Sequence, residues 1–432
     1  MYLRVPLILF LLASAGPSEA NIFARGSEHI LRSIDSAHRH AVKRSSNLAR
    51  DLRRAFSPIL VSQDSSSQSV YCVTGDGLTE SGGGSSGSGS SGGSGSGSAS
   101  AKASGTASAS ASAASSSSAA SSSSPWKLQQ SYEGNSFFSG WTFFTASDPT
   151  DGTVQYVDSG TASSANLTGI NSAGNAYMRV DTTQTVSGNR QSVRITTDYT
   201  FTGGLVILDA VHIPTGCGTW PAFWSDGPNW PNGGEIDIVE GVNSLTINQA
   251  SIHTSSGCNL PSGDSSTLGI SGTIVGGTNC AAAESDDSGC GVQSSNTNSF
   301  GAGFNSIGGG VYTMQWTDEG IKVWFFQRSS IPSDISSGAP NSSNWGTPLS
   351  FWPSTDCTMS KYFYDHQAIF DTTLCGQWAG NAWGQSGVPG QEQSCAATTG
   401  VSTCAEYVAG HGDGFANAYW EVKSVKIYQE SS

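Results

Sequence analysis

The chain has 432 residues, of which only 12% are charged, and it contains 54 glycines and 12 tryptophans. Its formal net charge of −14 divides unevenly, because residues 1–124 carry a net +3 and residues 125–432 a net −17. A domain this acidic is a poor match for nucleic acid or an anionic membrane, so we expect neither as a partner, and a neutral or cationic partner fits better.

The first 124 residues predict export and a tether rather than a folded domain. Residues 1–20 have the pattern of a signal peptide: Arg4, a short apolar run and then small residues. Residues 21–80 are a basic pro-segment or N-terminal region with dibasic pairs at Lys43-Arg44 and Arg53-Arg54; the alternative is an exposed amphipathic arm that stays attached. Residues 81–124 are almost wholly Ser, Gly and Ala, which predicts a disordered linker. We therefore expect a soluble, secreted protein, extracellular or associated with a cell wall.

Residues 125–432 predict an all-β domain. The stretch "SVRITTDYTFTGGLVILDAVHI" gives two strand-like runs separated by Gly203-Gly204. The stretch "VYTMQWTDEGIKVWFF" is a hairpin candidate with its turn at residues 317–320, and "NAYWEVKSVKIYQ" ends the chain as another strand. Long loops rich in Gly, Ser and Asn separate these runs, and no convincing long helix appears. A large β-sandwich with elaborated loops is the simplest architecture.

Cysteines and sequons support an extracellular setting. Eight of the nine cysteines follow residue 200, which suggests up to four disulfides, although the pairing cannot be deduced from spacing. Zinc is the competing interpretation, but the chain has no CxxC pair. Sequons at Asn166 and Asn341 predict N-glycans on the surface.

The stretch "PNGGEIDIVEGVN", residues 231–243, places three carboxylates within a predicted strand. In a regular strand Glu235 and Asp237 share one face, whereas Glu240 points to the other. One extra residue between Asp237 and Glu240, a β-bulge, would bring all three acids onto one face. The alternatives are a charged edge strand, a calcium site and a chance pattern.

Two carboxyl groups on one face suit hydrolysis of a glycosidic bond. The retaining reaction needs a nucleophile and an acid/base about 5 to 5.5 Å apart, and an inverting pair stands further apart. Residues at positions i and i+4 of a strand lie about 13 Å apart at their α-carbons, so the side chains of Glu235 and Glu240 must lean together across Asp237. Asp237 can hydrogen-bond the nucleophile and help to hold the glutamates at different pKa values. The spacing permits this geometry but does not fix the stereochemistry.

Aromatic residues flank the acids. Trp220, Trp224 and Trp230 lie just upstream in Pro- and Gly-broken sequence, and Trp378 lies in a later Gly-rich loop. Flat aromatic faces can stack on sugar rings, although any one tryptophan can equally belong to the core. His253 can bond a sugar or a catalytic carboxylate, or can be a buried structural histidine.

The motif "WPAFW…GPNWPNGGEIDIVEGVN", followed by "IHT", "DTTLCGQWAG" and "NAYWEV", resembles the laminarinase branch of glycoside hydrolase family 16, from about Trp126 to Tyr428. The resemblance implies a β-jelly-roll sandwich of the concanavalin A-like type with a concave glycan-binding cleft and long loops tied by disulfides. It implies a retaining mechanism with Glu235 as nucleophile, Asp237 as its assistant and Glu240 as general acid/base. It also places Trp224, Trp230 and His253 where members of the family hold glucose units.

The sequence departs from this family in three places. Gln377 stands where an Asp is usual, which leaves that sugar contact open. The segment "WGQSGVPGQEQSCAATTGVSTC" is expanded and carries its own cysteine pair, which puts the cleft edge and the chain-length preference in doubt. The first 124 residues have no counterpart in the family pattern.

These observations predict a secreted endo-β-glucanase that cleaves β-1,3-glucans, with β-1,3-1,4- and branched glucans as further candidate substrates. The alternatives are a cell-wall glucan transglycosylase that uses the same site and a non-catalytic glycan-binding module. We expect a monomer whose partner is a β-glucan polysaccharide. The chemistry needs no cofactor and none is predicted, nor is a metal site; a structural calcium ion stays an open alternative.

Overall fold

The computed structural model describes residues 124–431. The predicted signal peptide, pro-segment, nearly all of the linker and Cys72 lie outside the described residues, and these expectations stay predictions. Within the described part, no helix has both the length and the apolar character needed to cross a membrane.

Strands are the main regular secondary structure of the described residues. In chain order these are β1 (Trp126–Glu133), β2 (Trp141–Phe143), β3 (Val154–Tyr156), β4 (Thr168–Ile170), β5 (Ala176–Arg179), β6 (Arg190–Ser192), β7 (Arg194–Thr197), β8 (Gly204–His212), β9 (Thr219–Asp226), β10 (Glu235–Glu240), β11 (Gln249–His253), β12 (Thr273–Val275), β13 (Cys290–Gln293), β14 (Gly310–Thr317), β15 (Gly320–Gln327), β16 (Ser350–Pro353), β17 (Gln367–Leu374) and β18 (Tyr419–Glu430). The α-helices are short: Ser159–Ser164, Ser265–Leu268, Gly301–Ser306, Ser333–Ser336, Met359–Tyr362, Cys395–Thr399 and Cys404–Gly410. Single turns of 3₁₀-helix lie at Gly134–Ser136, Arg328–Ser330, Ser342–Asn344, Asn381–Gly384 and Gly412–Phe415, and a π-helical turn at Gly376–Gly380.

Most strands form two antiparallel sheets that pack face to face, and β3 and β6 form a separate parallel pair. The back sheet has the order β16-β15-β14-β8-β18-β5-β4, with β1 also paired to β18, and the front sheet has the order β12-β13-β11-β10-β9-β17-β7-β2. One buried cluster joins Met314 and Trp316 of the back sheet to Phe223, Ile236 and Phe370 of the front sheet. The predicted all-β jelly-roll sandwich is therefore confirmed.

The predicted hairpin is present, and the geometry of its turn requires glycine at position 320. Strand β14 ends at Thr317 and β15 begins at Gly320, with eight consecutive residue pairs between the two strands. Gly320 has φ +143°, and a Cβ there would press against the carbonyl oxygen of Trp352 on β16. The predicted break at Gly203-Gly204 also holds, since β8 begins at Gly204.

Among the described residues, four disulfides tie the long loops, as predicted, and the structure supplies the pairing. The bonds are Cys217–Cys395, Cys258–Cys357, Cys280–Cys290 and Cys375–Cys404. The two cysteines of the expanded segment therefore do not bond to each other. They anchor that segment at two points, just before β9 and just after β17.

Candidate active site

Strand β10 lies in the middle of the front sheet, between β9 and β11. The residue before it must be glycine, because Gly234 has φ +78° and a Cβ there would meet the Tyr362 carbonyl oxygen and the Phe363 ring. His366 holds the preceding loop in place, with its Nδ1 2.9 Å from Ser225 Oγ and its Nε2 2.9 Å from the Gly233 carbonyl oxygen. These contacts fix where Glu235 enters the sheet.

The predicted bulge is present in β10. Towards β9, Asp237 lies opposite Trp224 while Val239 lies opposite Phe223, so Ile238 is the extra residue. The register towards β11 also shifts between Asp237 and the end of the strand. The bulge thus interrupts the regular pairing on both sides of β10.

The bulge sends the three acids into one cleft. Glu235, Asp237 and Glu240 all line it, whereas Ile238 and Val239 are both buried in the core between the sheets. A regular strand would have placed Glu240 on the core side, where an unpaired carboxylate is strongly unfavourable.

The cleft has a volume of about 360 Å³ and is acidic. Besides the three acids of β10, five aspartates line it: Asp148, Asp151, Asp226, Asp287 and Asp371. Among the described residues that line the cleft, Arg194 is the only Lys or Arg. Such a surface repels anionic polymers and admits a neutral one.

Each acid of β10 has a defined neighbour. The indole N–H of Trp230 donates to Glu235 Oε2, and that of Trp220 donates to Glu240 Oε1 at 2.8 Å. His253 Nε2 lies 3.1 Å from Asp237 Oδ2, and the residue is only 3% exposed. Of the roles open to His253, the geometry favours the carboxylate contact, while Glu235 and Glu240 each keep one oxygen for other chemistry.

Burial raises the pKa of Glu235 well above that of an ordinary glutamate. The nearby Asp237 carboxylate raises this pKa further, whereas His253 and the Trp230 N–H oppose the rise by favouring the ionised form. The ionised form of Glu235 is therefore opposed both by burial and by the neighbouring Asp237 charge.

The four predicted aromatic residues occupy different positions. Trp230 is 45% exposed at the cleft rim, and Trp224 lines the cleft while its N–H donates to Asp371 Oδ2 at 3.1 Å. Trp220 lines the cleft wall but is largely buried, with Trp378 packed edge-to-face against it at 5.8 Å between ring centroids. Trp378 is not among the residues that line the cleft and instead borders a small neighbouring cavity. Trp224 and Trp230 thus offer the accessible faces, and Trp220 supports Glu240.

Two residues that sequence reasoning did not single out belong to the cleft. Asp371 on β17 lies close enough to Glu240 for their charges to interact, and burial raises the pKa of Asp371 to about 7. Its signal was present, since an acid stands inside the otherwise uncharged run "AIFDTTL". Arg194 on β7 opposes that rise in pKa.

The departure at Gln377 has a local partner. Gln377 lines the cleft, and its Nε2 donates to Asp151 Oδ2 at 3.0 Å. A carboxylate at position 377 would face that of Asp151 without the hydrogen bond. The negative charge at this point of the cleft therefore comes from Asp151.

The residues that could hold a metal overlap the acids themselves. Ligand atoms of Glu235, Asp237 and His253 lie within 4.8 Å of one another. An imidazole nitrogen suits zinc or copper rather than calcium, which prefers oxygen ligands. This set does not favour the calcium alternative, and any metal bound there would occupy Glu235.

Comparisons with known proteins show which family the chain resembles. Residues 141–428 match the family model described as the XgeA-like catalytic GH16 domain. A probable glycosidase of Schizosaccharomyces pombe is 42% identical over 70% of this chain and 69% of its own length; the endo-1,3(4)-β-glucanase xgeA of Emericella nidulans is 40% identical over 70% and 47%. The chain thus spans about half the length of the Aspergillus and Emericella relatives it matches.

Solved structures are also similar. Laminarinase 16A of Phanerochaete chrysosporium, with 6-O-glucosyl-laminaritriose in donor and acceptor sites, is 39% identical at a TM-score of 0.63, covering 70% of this chain and 99% of that one. An elongating family 16 β-1,3-glucosyltransferase is 40% identical at a TM-score of 0.63, and the match covers 70% of this chain and 100% of that one. The family match spans well over half of the chain and includes every residue of the cleft. The chain therefore belongs to glycoside hydrolase family 16.

Proposed function

We propose that the protein is an endo-acting β-glucanase that cleaves β-1,3-glucans with retention, Glu235 being the nucleophile and Glu240 the general acid/base. The observation that carries this proposal is the bulge in β10, which opens both glutamates into one cleft. β-1,3-1,4- and branched glucans are further substrates, supported by the names of the relatives and by the 6-O-glucosyl-laminaritriose bound to the similar laminarinase.

In the proposed reaction the two glutamates act together in both steps. The ionised Glu235 attacks the anomeric carbon while Glu240 gives its proton to the glycosidic oxygen, so the leaving chain departs with a new hydroxyl group. Glu240, now a carboxylate, takes a proton from water, and the water oxygen attacks the glucosyl ester and frees Glu235. The Trp220 N–H stabilises Glu240 in its ionised state. Asp237, held by His253, stands between them and tunes the charge on Glu235.

The charge of the cleft supports a neutral polysaccharide as substrate. Eight carboxyl side chains and one arginine line the cleft. Glucans carry no charge, whereas uronic-acid or sulfated polymers would be repelled. Trp224 and Trp230 supply aromatic faces on which glucose rings can stack.

The direct test is to incubate the described domain with laminarin, lichenan and cellulose. New reducing ends are measured by a reducing-sugar assay, and the anomer that forms first is identified by proton NMR. We expect new reducing ends from laminarin with the β-anomer appearing first. Release of the α-anomer would remove Glu235 as a nucleophile. Binding of laminarin without any new reducing ends would support the non-catalytic glycan-binding module instead.

Transglycosylation is the second candidate, because a glucosyltransferase of the same family is 40% identical and is matched over its whole length. It uses the same glucosyl ester, with a sugar hydroxyl in place of water. Incubation with laminaripentaose at increasing concentration separates the two activities. Products longer than the substrate that dominate even at low concentration would identify a transferase.

We also propose that the enzyme acts outside the cell as a monomer, with residues 81–124 as a linker to a processed N-terminal region and glycans at Asn166 and Asn341. Four disulfides support an oxidising compartment. Asn166 is exposed, and Asn341 is half-buried at the start of a 3₁₀ turn. Mass spectrometry of the protein purified from culture medium, before and after endoglycosidase treatment, tests the processing site and both glycans.

A further inference from the structure

The bulge in β10 is held from behind by one asparagine. Asn248 directly precedes β11 and is 0% exposed. Its Oδ1 accepts a hydrogen bond from the Glu240 backbone N–H at 3.0 Å, and its Nδ2 donates to the Ile238 carbonyl oxygen at 3.0 Å. The amide thus binds the two backbone groups that lie on either side of Val239, where the register of β10 shifts.

An amide suits this position because it presents a donor and an acceptor side by side, as a strand partner would. Buried backbone groups without a partner are costly, so the gap in the ladder at a bulge has to be filled. Asn248 is itself fixed: its backbone N–H donates to Ser299 Oγ at 2.9 Å, and its carbonyl oxygen accepts from the Ser294 N–H at 2.8 Å. The amide therefore meets β10 in one orientation.

We propose that Asn248 is a positioning residue that aims the Glu240 carboxyl at the glycosidic oxygen by fixing the backbone of the bulge. This inference rests on the proposed function of Glu240 as acid/base. Asn248 is not among the residues that line the cleft, so it acts on the reaction only through Glu240. Trp220 fixes the end of the Glu240 side chain and Asn248 fixes its backbone, so the two together define its direction.

The test uses two substrates that differ in their need for a proton. A laminari-oligosaccharide has a sugar leaving group that Glu240 must protonate, whereas 2,4-dinitrophenyl β-laminaribioside has a leaving group that departs without help. In N248A we expect kcat/KM for the oligosaccharide to fall roughly 10- to 100-fold, because a displacement near 1 Å costs about that much. For the dinitrophenyl substrate the fall should stay under about threefold, because acid catalysis contributes little there.

Asn305 provides a matched control. Its Oδ1 accepts from the Ile213 N–H at 2.9 Å and its Nδ2 donates to the Ile213 carbonyl oxygen at 3.0 Å, so it also bonds a backbone donor and a backbone acceptor, here of a single residue away from the cleft. N305A should lower the melting temperature and leave the ratio of the two kcat/KM values as in the wild type. An equal loss on both substrates in N248A would reduce Asn248 to a structural role and overturn the proposal.

A second variant covers the case in which N248A does not fold. N248D keeps the shape, and its protonated carboxyl reproduces both hydrogen bonds, whereas its charged form repels the Ile238 carbonyl oxygen. The ratio of kcat/KM for the oligosaccharide to kcat/KM for the dinitrophenyl substrate should therefore rise towards the wild-type ratio in N248D as the pH falls. A difference from wild type that does not change with pH contradicts the proposal.

If the wild type cleaves no β-glucan, the proposed function fails. The crystal structure of N248A or N248D then decides: an unchanged Trp220–Glu240 hydrogen bond overturns the inference, and its loss supports it.

Discussion

Strands β10 and β14 approach each other across the core, but they differ in how regularly they pair with their neighbours. Strand β14 pairs with β15 through eight consecutive residues and with β8 through seven, without a break. Strand β10 has six residues and a register shift on both sides. Regular pairing suits a strand that only builds the sandwich, whereas the break in β10 turns an acid out of the core and into the cleft.

The surroundings of the two strands differ in the same way. The back sheet is covered on its outer face by a second apolar cluster that includes Val311 of β14, Trp324 and Trp345. The front sheet leaves its outer face open as the acidic cleft. Substitutions around β14 should therefore change stability, and substitutions around β10 should change the rate.

The largest effect should come from the two glutamates. Replacing Glu235 or Glu240 by the isosteric glutamine removes the nucleophile or the proton donor, so kcat on laminarin should fall roughly 10⁴-fold or more in each variant. Melting temperatures should not fall, and E235Q should be stabilised, because a buried carboxyl next to Asp237 is lost. Full activity in either variant would falsify the assignment.

The next largest effect concerns Asp371, one of the buried acids of the cleft. Burial raises the pKa of Asp371 to about 7, so between pH 4 and 7 the folded chain holds a proton that the unfolded chain has released. This contribution makes the free energy of unfolding of the wild type fall as the pH rises through that window. D371N lacks it and should gain about 3 kcal/mol relative to wild type between pH 4 and pH 7.5. Denaturant unfolding at several pH values measures the gain, and a difference independent of pH contradicts it.

A stability effect without a rate effect is expected in the hairpin. G320A forces an L-residue to φ +143° and places a Cβ against the Trp352 carbonyl oxygen. The free energy of unfolding should fall by about 2 kcal/mol, with kcat/KM within about twofold of wild type. Gly308 is the control: its φ is +73° with nothing within 4 Å of a Cβ, so G308A should cost less. A fall in kcat/KM of more than twofold in G320A would contradict the expectation that substitutions around β14 change only stability.

The smallest effect tests the wall of the cleft. W220F removes the N–H that bonds Glu240 at 2.8 Å while keeping an aromatic ring against Trp378. We expect kcat on laminarin to fall roughly tenfold, the equivalent of about 1.4 kcal/mol, with KM little changed. W224F removes an N–H that bonds Asp371 rather than Glu235 or Glu240, so this variant should mainly raise KM. The reverse pattern in steady-state kinetics would exchange the roles given to the two tryptophans.

What could be predicted from the sequence was local or chemical. The hairpin followed from alternating strands around a turn ending in Gly320, both visible within sixteen residues. The bulge followed from strand phase, because three acids could share one face only with an extra residue. Both features depend on residues close together in the chain rather than on what packs beside the strand.

The features that could not be predicted from the sequence depend on contacts between residues distant in the chain. Trp220 could be seen as an aromatic near the acids, but not as the donor to Glu240, since that contact crosses from β9 to β10. Trp378 proved to be packed behind Trp220 rather than in the cleft lining. Asn248 carries no signal at all, because its two partners belong to the bulge of another strand.

In the proposed mechanism, the bulge in β10 makes Glu235 the nucleophile and Glu240 the acid/base of one cleft. The most direct test of this mechanism is mass-spectrometric mapping of the protein after reaction with a 2-deoxy-2-fluoro β-laminaribiosyl fluoride, which slows hydrolysis of the glucosyl ester enough to trap it. We expect one sugar on the peptide that contains Glu235, and its removal when a laminari-oligosaccharide acceptor is added. A label on Glu240 or Asp237, or hydrolysis of laminarin with no trapped ester, would contradict the mechanism.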